Sequence, residues 1–327
     1  MNSSESVTCV TVTYGERRHL LTPVLERLQG LSPSLGAVVV VFNGVPYDPL
    51  AFLHKLGLGV PIIPVVSDVN EGSAGGFSRG LMAAFEDTRS EFLWLLDDDN
   101  CPQVGALRAL AEAHQLLGGS PEVVLSSLRT GNWEQLEAVY QGRPMRVRTN
   151  SFLGFHVGSV VANRLCKHRL TAASAADHPG FPLVRAHCAP YGGLFIHRRW
   201  WTTVGGPRRD FLTYGDDYEY TMRVERAGGR LYICASSRVD DLERTWKTPS
   251  DCHSLMEPQG DEQRVYLGVR NHVALERAYT VTSRIVYFVN ALLFLARMTF
   301  GSWRCWLRAP GASLKRARVL RDALGAG

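Results

Sequence analysis

The run Phe92-Leu93-Trp94-Leu95-Leu96 ends abruptly in Asp97-Asp98-Asp99-Asn100, and this pattern restricts the fold more than any other in the chain. A short apolar run bounded by polar residues predicts a buried strand, which needs layers packed on both of its faces. The acids then stand at the strand's carboxyl end, where open α/β sheets place their ligands. Three adjacent carboxylates repel one another, so a compensating cation is expected beside them. Hard oxygen donors favour Mg²⁺ or Mn²⁺, which would bridge the protein to phosphate oxygens of a ligand. The triplet alone is equally compatible with a solvated acidic turn, and the rest of the sequence has to separate the two.

The preceding residues repeat one theme. Val7 to Thr13 is β-branched and reads as a strand, Arg17 to Leu28 has helical spacing, and Ala37 to Phe42 is a second strand closed by an Asn43-Gly44 turn. Val60 to Val66 predicts a third strand, followed by a glycine-rich loop from Asp68 to Phe77 and a helix from Ser78 to Glu86. Strands alternating with helices imply βαβ units, hence an α/β fold with a mostly parallel sheet covered on both faces. Beyond the acids, Ala106 to Leu117 reads as a helix and Val123 to Ser127 as a strand, whereas 129–190 reads as irregular, as binding loops do. A short strand running into a helix is expected at Tyr191 to Trp201, a helix through Arg226, and a strand at Arg230 to Ala235.

The 327 residues are 45% apolar, enough for a sizeable core, and the net charge of +5 is modest. Lys315, Arg316, Arg318 and Arg321 cluster near the C-terminus beside apolar sequence, which suits an anionic membrane surface better than nucleic acid. Asp261 to Tyr279 reads as an amphipathic helix. Ile285 to Ala296 is apolar apart from Asn290, shorter than the roughly 20 residues of a spanning helix, and Trp303 and Trp306 follow among arginines. Interfacial docking is expected there, with packing on the core or in a homo-oligomer interface as the alternative. Seven scattered cysteines without CxxC spacing indicate neither a disulfide framework nor zinc, and the N-terminus lacks a secretory n-region, so a cytoplasmic location is expected.

The ordered series Val10-Thr11-Val12-Thr13-Tyr14, Asn43-Gly44, Asn70 to Gly80, Asp97-Asp98-Asp99, Tyr191-Gly192-Gly193, Gly205-Gly206 and Asp216-Asp217-Tyr218-Glu219 resembles family 2 glycosyltransferases of the GT-A fold, above all their rhamnosyl- and galactofuranosyltransferase branch. The resemblance spans roughly 7–275. It implies a Rossmann-like GT-A domain with a donor half (1–128), an acceptor half (129–258) and a C-terminal helical region (259–327). It also implies Asp97 and Asp99 on a metal, Asp98 on the ribose or sugar, and Thr11, Asn43, Asp68, Asn70, Gly72, Gly76, Arg79 and Asp97 around a UDP- or dTDP-linked sugar. Asp217 matches the family's base, Asp216 its orienting partner, and Trp200, Trp201 and Glu219 an acceptor surface. Arg270-Asn271-His272 resembles a further signature of that branch.

Two departures stand out. Relatives commonly place a histidine metal ligand after the strand that follows the base helix; here Ser236 to Glu243 contains none, and Asp240 or Asp241 is expected to substitute, with His253 a more distant candidate. Phe42 also stands where many relatives have Asp. The activity implied is metal-dependent, inverting transfer of a sugar, galactofuranose before rhamnose, to a glycan or lipid-linked saccharide at the inner face of the cell membrane. A sugar-nucleotide nucleotidyltransferase and a non-catalytic glycan-binding protein remain as alternatives.

Overall fold

A computed structural model describes residues 7–31, 35–158, 182–243, 261–301 and 310–327, with only the backbone for 299–301, 310–314 and 316. Its chain divides into one unit of Met1–Arg146, Leu170–Leu212 and Asp216–Thr245, and a second of Val147–Arg169, Thr213–Gly215 and Trp246–Gly327.

The first unit is built on one sheet. Strands β1 (Val7–Tyr14), β2 (Ala37–Asn43), β3 (Ile62–Ser67) and β4 (Phe92–Asp97) lie in the order β3-β2-β1-β4, all parallel. The sheet continues through β8 (Leu194–His197), antiparallel to β4, to β6 (Val123–Arg129), β9 (Arg230–Asp241) and the short β5 (Asn100–Pro102), while β7 (Leu183–Ala186) also pairs with β9. Parallel pairing therefore governs the first half and mixed pairing the second.

Alternation along the strands sorts side chains between two helical layers. Val7 and Cys9 of β1, Val38, Val40 and Phe42 of β2 and Trp94 and Leu96 of β4 share a buried cluster with α1 (Arg18–Gln29) and α4 (Ala106–Leu116). On the opposite face, α3 (Gly72–Asp87) lies close to β1 and β2. A Cβ on Gly76 would sit 2.5 Å from Val12, and one on Gly80 2.6 Å from Val10, so these glycines set the helix-to-sheet distance. The expected loop through Phe77 is thus helix from Gly72 onward; glycines that look like loop residues serve close packing.

Helix α2 (Pro49–Leu56), absent from the sequence reading, starts at Asp48, whose carboxylate accepts the Leu50 and Ala51 amides. The expected irregular stretch also needs correction. It contains α5 (Trp133–Gln141), capped by Asn132, and β7; residues 159–181 of it lie outside the described residues. Helices α6 (Arg199–Val204) and α7 (Asp216–Arg226) follow β8. β9 tracks β6 as far as Ser127↔Cys234 and resumes at Leu128↔Arg238, so residues 235–237 bulge out before the strand reaches Asp240 and Asp241.

In the second unit, α8 (Glu262–Tyr279), α9 (Arg284–Gly301) and α10 (Pro310–Ala326) enclose a small core of Phe152, Val269, Val273, Phe294, Met298, Leu320 and Ala323. Glu276, wholly buried, accepts the Leu153 and Gly154 amides (3.1 and 3.2 Å) and the Tyr287 hydroxyl (3.2 Å), and burial pushes its pKa up to about 7. Asn271 donates to the carbonyls of Thr213 and Tyr214 at 2.7 and 3.0 Å. The Arg270 guanidinium bonds Asn271 Oδ1, so this triplet ties the unit together internally.

Candidate active site

The acid triplet closes β4 at the sheet's carboxyl end. Asp97 follows Leu93 and Leu95 on the α3 face, and Asp98 follows Trp94 and Leu96 toward α1. Asp98 is 3% exposed and accepts the Thr13 hydroxyl at 2.7 Å and the Arg17 Nε at 3.0 and 3.1 Å. Arg17, just before α1, also reaches Asp99 (3.6 Å) and Glu243 (2.6 Å). A second guanidinium, Arg129 at the end of β6, contacts Asp97 at 3.4 Å and Asp241 at 2.7 Å. The Asn100 amide donates to Asp99 and Asp241 (3.1 and 2.9 Å). The cation demanded by the adjacent acids is thus supplied in part by the protein itself. Burial still dominates: it lifts Asp97 to about 7 and, joined by the charge of Asp98, Asp99 to about 6.

The starts of α3 and α7 complete the site. Asn43 Nδ2 donates to the Asn70 side chain and the Gly72 carbonyl (3.1 and 2.9 Å), and its Oδ1 accepts the Glu71 amide. This bolts the end of β2 to the start of α3. Gly72 has φ +70°, and a Cβ there would lie 2.0 Å from the Leu212 carbonyl, so the 212 segment passes directly against the helix start. Ser73 donates to Asp216 at 2.8 Å, joining α3 to α7. Asp216 is 2% exposed; burial, then the neighbouring Asp217, raises its pKa. Burial also raises Asp217, half-buried, against the downward pull of the Tyr218 amide and Arg129. Leu212 (φ +61°) is strained backbone just ahead of these acids.

Several expected residues sit elsewhere. Thr11 is wholly buried in mid-strand, two residues short of Thr13, which occupies the strand end. Gly76 packs on Val12 and so belongs to the helix–sheet contact. Arg79 lies on the half-exposed side of α3, paired with Glu71 (2.9 Å), and Asp68 is exposed on the rim after β3. Asp98 spends its carboxylate on Thr13 and Arg17, leaving it turned away from a ligand. Trp200 is 1% exposed and donates to the Pro121 carbonyl at 3.1 Å; Trp201 packs near Phe85 and Gly206. Because β8 runs antiparallel to β4, pairing His197 with Phe92, both tryptophans follow the end of the sheet opposite the acids. Glu219, also 1% exposed, is paired with Arg223 at 3.0 Å. None of these three presents an acceptor surface. Phe42 anchors an aromatic cluster with Tyr47 and Phe52, at 6.3 and 6.4 Å.

The four-acid metal set is also corrected. Asp240 points away from Asp241 along β9, to Gln103 (3.0 Å) and Thr130 (2.9 Å), and Asp241 is held by Arg129. Among the described residues no three His, Cys, Asp or Glu side chains form a group able to hold a metal. His253 lies outside the described residues. Asp97 and Asp99 do fit a divalent ion. They are two hard oxygen donors whose pKa values are raised by burial and by neighbouring carboxylates, and one or two carboxylates suffice when substrate phosphates supply the remaining ligands.

The structure adds Arg17, Arg129, Thr13, Asn100 and Gly192 to the site. A Cβ on Gly192 would fall 2.0 Å from Asn100 Oδ1 and 2.9 Å from Asp97 Oδ2, so glycine lets this backbone cross the acids. The available signal was positional: Arg17 and Arg129 each stand at or just past the carboxyl end of a predicted strand, where the acids required a counter-charge.

The family described as Glycosyltransferase like family 2 matches residues 5–256. A comparison with curated proteins found no match. Among solved structures, GalNAc-T7 with UDP, GalNAc and Mn²⁺ aligns with a TM-score of 0.54 at 15% identity, over 83% of this chain and 48% of its own. The mannosyltransferase PcManGT from Pyrobaculum calidifontis, in complex with GDP-Man and Mn²⁺, aligns at 0.52 and 17% identity over 100% and 77%. S. aureus TarS 1-349 in complex with UDP-GlcNAc aligns at 0.51 and 14% over 98% and 80%. This chain therefore spans about half of GalNAc-T7, and the agreement with all three is one of fold.

Proposed function

Because the chain belongs to glycosyltransferase-like family 2, we propose that its acidic sheet end transfers a sugar from a nucleotide donor to a glycan acceptor in one inverting displacement. The carrying observation is electrostatic. Asp217 is among the charges that raise Asp97, and Arg129 acts on both, so acids from β4 and α7 share one environment. Asp217 takes the proton of the acceptor hydroxyl, and its raised pKa suits a base working near neutrality. Asp216 orients the start of α7 through Ser73. Asn43, Asn70 and Gly72 shape the nucleotide side, with Asp68 at its rim. Asp97 and Asp99 would hold Mn²⁺ or Mg²⁺, which when bound neutralises the departing diphosphate. Mn²⁺ accompanies the nucleotide in GalNAc-T7 and in PcManGT, which supports that choice.

In this reading 1–128 binds the donor, 129–258 carries the acceptor side, and 259–327 brings the enzyme to the inner face of the cell membrane, where lipid-linked saccharides are presented. UDP-galactofuranose is the first donor and dTDP-rhamnose the second, on motif resemblance; structures with GalNAc, GDP-Man and UDP-GlcNAc share the fold, so fold does not choose the sugar. The test is nucleotide release from a panel of UDP- and dTDP-sugars with Mn²⁺ and an acceptor extract. One donor should turn over in the wild type and lose turnover in Asp217→Ala. Release from no donor, or equal release by the variant, refutes the assignment.

A further inference from the structure

Helix α9 has two apolar faces, and only one of them is used. Tyr287, Ala291, Phe294 and Met298 pack into the second unit's core, and the buried Asn290 locks the helix by accepting the Val157 amide (3.0 Å) and donating to the Asn150 carbonyl (2.8 Å). The outer side carries Ile285 (78% exposed), Phe288 (61%) and Leu292 (51%), with Val286, Val289 and Leu293 beside them. Spacings of three and four residues align these side chains along the helix, a stripe about 12 Å long from Ile285 to Leu293. An apolar patch of this kind is ordinarily an interaction surface.

Charge selects the occupant. Residues 261–327 hold eleven Arg and Lys against four Asp and Glu, a net +7, so the other 260 residues carry −2 of the total +5. Arg284 directly precedes the stripe and Arg297 follows it by about one turn; both are exposed, and no acid lies between them. Two copies packed through this face would bring like charges together; an anionic bilayer complements them. No helix among the described residues is long and apolar enough to cross a membrane, so α9 would lie in the plane of the interface. The sequence that follows it, with Trp303, Arg304, Trp306 and Arg308, has the composition of that boundary.

We propose that the outer face of α9, centred on Phe288 and Leu292, docks the protein on an anionic lipid surface. This rests on the membrane-side reading above and adds the face that makes the contact. The test is co-sedimentation of the full chain with phosphatidylcholine vesicles with and without phosphatidylglycerol, comparing wild type with the double variant Phe288→Glu/Leu292→Glu. Wild type should partition at least tenfold more strongly onto the anionic vesicles, lose that preference at high salt, and bind at least tenfold more tightly than the variant. Should the variant melt early, hydrogen exchange on wild type decides: vesicles should slow exchange in α9. Equal binding by a folded variant, absence of binding to anionic vesicles, or unchanged α9 exchange overturns the proposal. Self-association of wild type that the variant abolishes, without vesicle binding, assigns the face to a second copy and likewise overturns it. No sugar donor enters this assay, so its failure and that of the transfer assay are separable.

Discussion

The two groups of acids at the head of the sheet are held in opposite ways. Asp97, Asp98, Asp99 and Asp241 share two guanidinium groups, Arg17 and Arg129, and Asn100 fills in between them. Asp216 and Asp217 make no salt bridge among the described residues; a serine hydroxyl bonds the first and a backbone amide the second. Guanidinium counter-charge opposes burial at Asp97, Asp98 and Asp99, whose pKa values are raised nonetheless, whereas the direct partners of Asp216 and Asp217 are neutral donors. One cluster is held by ion pairs and the other by neutral donors.

The largest test of that contrast removes the proton acceptor. Asp217→Asn should lower transfer by about 10²- to 10⁴-fold while nucleotide affinity, read by calorimetry, stays near wild type. Next comes the shared cation. Arg129→Ala strips Asp97 and Asp241 together and should cost about 3–5 kcal/mol in urea unfolding, as loss of one partner from a buried pair does. Arg129→Lys should recover only part of that, because a point charge cannot reach both acids. Gly72→Ala, forced into φ +70° against the Leu212 carbonyl, should cost about 1–3 kcal/mol by the same measurement.

A pH series sharpens the comparison on the other side. Asp216 has a folded pKa above its unfolded value, so its stabilising contribution is complete below about pH 4 and is lost as pH rises through the raised value. Asp216→Asn should therefore flatten the fall of unfolding free energy with pH, read by urea melts at each pH, by at most about 1.4 kcal/mol per pH unit for one proton. The smallest effect is expected from Trp201→Ala, which should leave acceptor KM unchanged; a rise of tenfold would return that ring to the site.

What the sequence disclosed and what it hid divide by distance along the chain. The β4 run with its acids, the Asn43 turn and the acidic start of α7 are local patterns, and they were legible. Arg17 and Arg129 lie 81 and 32 residues from the acids they pair with, and only the strand order brings them together. The antiparallel direction of β8, which carries the tryptophans to the far end of the sheet, is not written in the tryptophan sequence. The glycines of α3 suggested a loop by composition, although Gly72, Gly76 and Gly80 recur every fourth residue, as one face of a helix requires.

Strand β9 ends in two consecutive acids, of which only Asp241 meets Arg129. Side chains alternate along a strand, so a one-residue insertion before Asp240 that advances the register would put Asp240 where Asp241 now stands. Either register delivers a carboxylate to the waiting guanidinium. The doubled acid makes the pairing robust to a one-residue insertion in the strand before it, the kind of change that would ordinarily erase a buried contact in a single step.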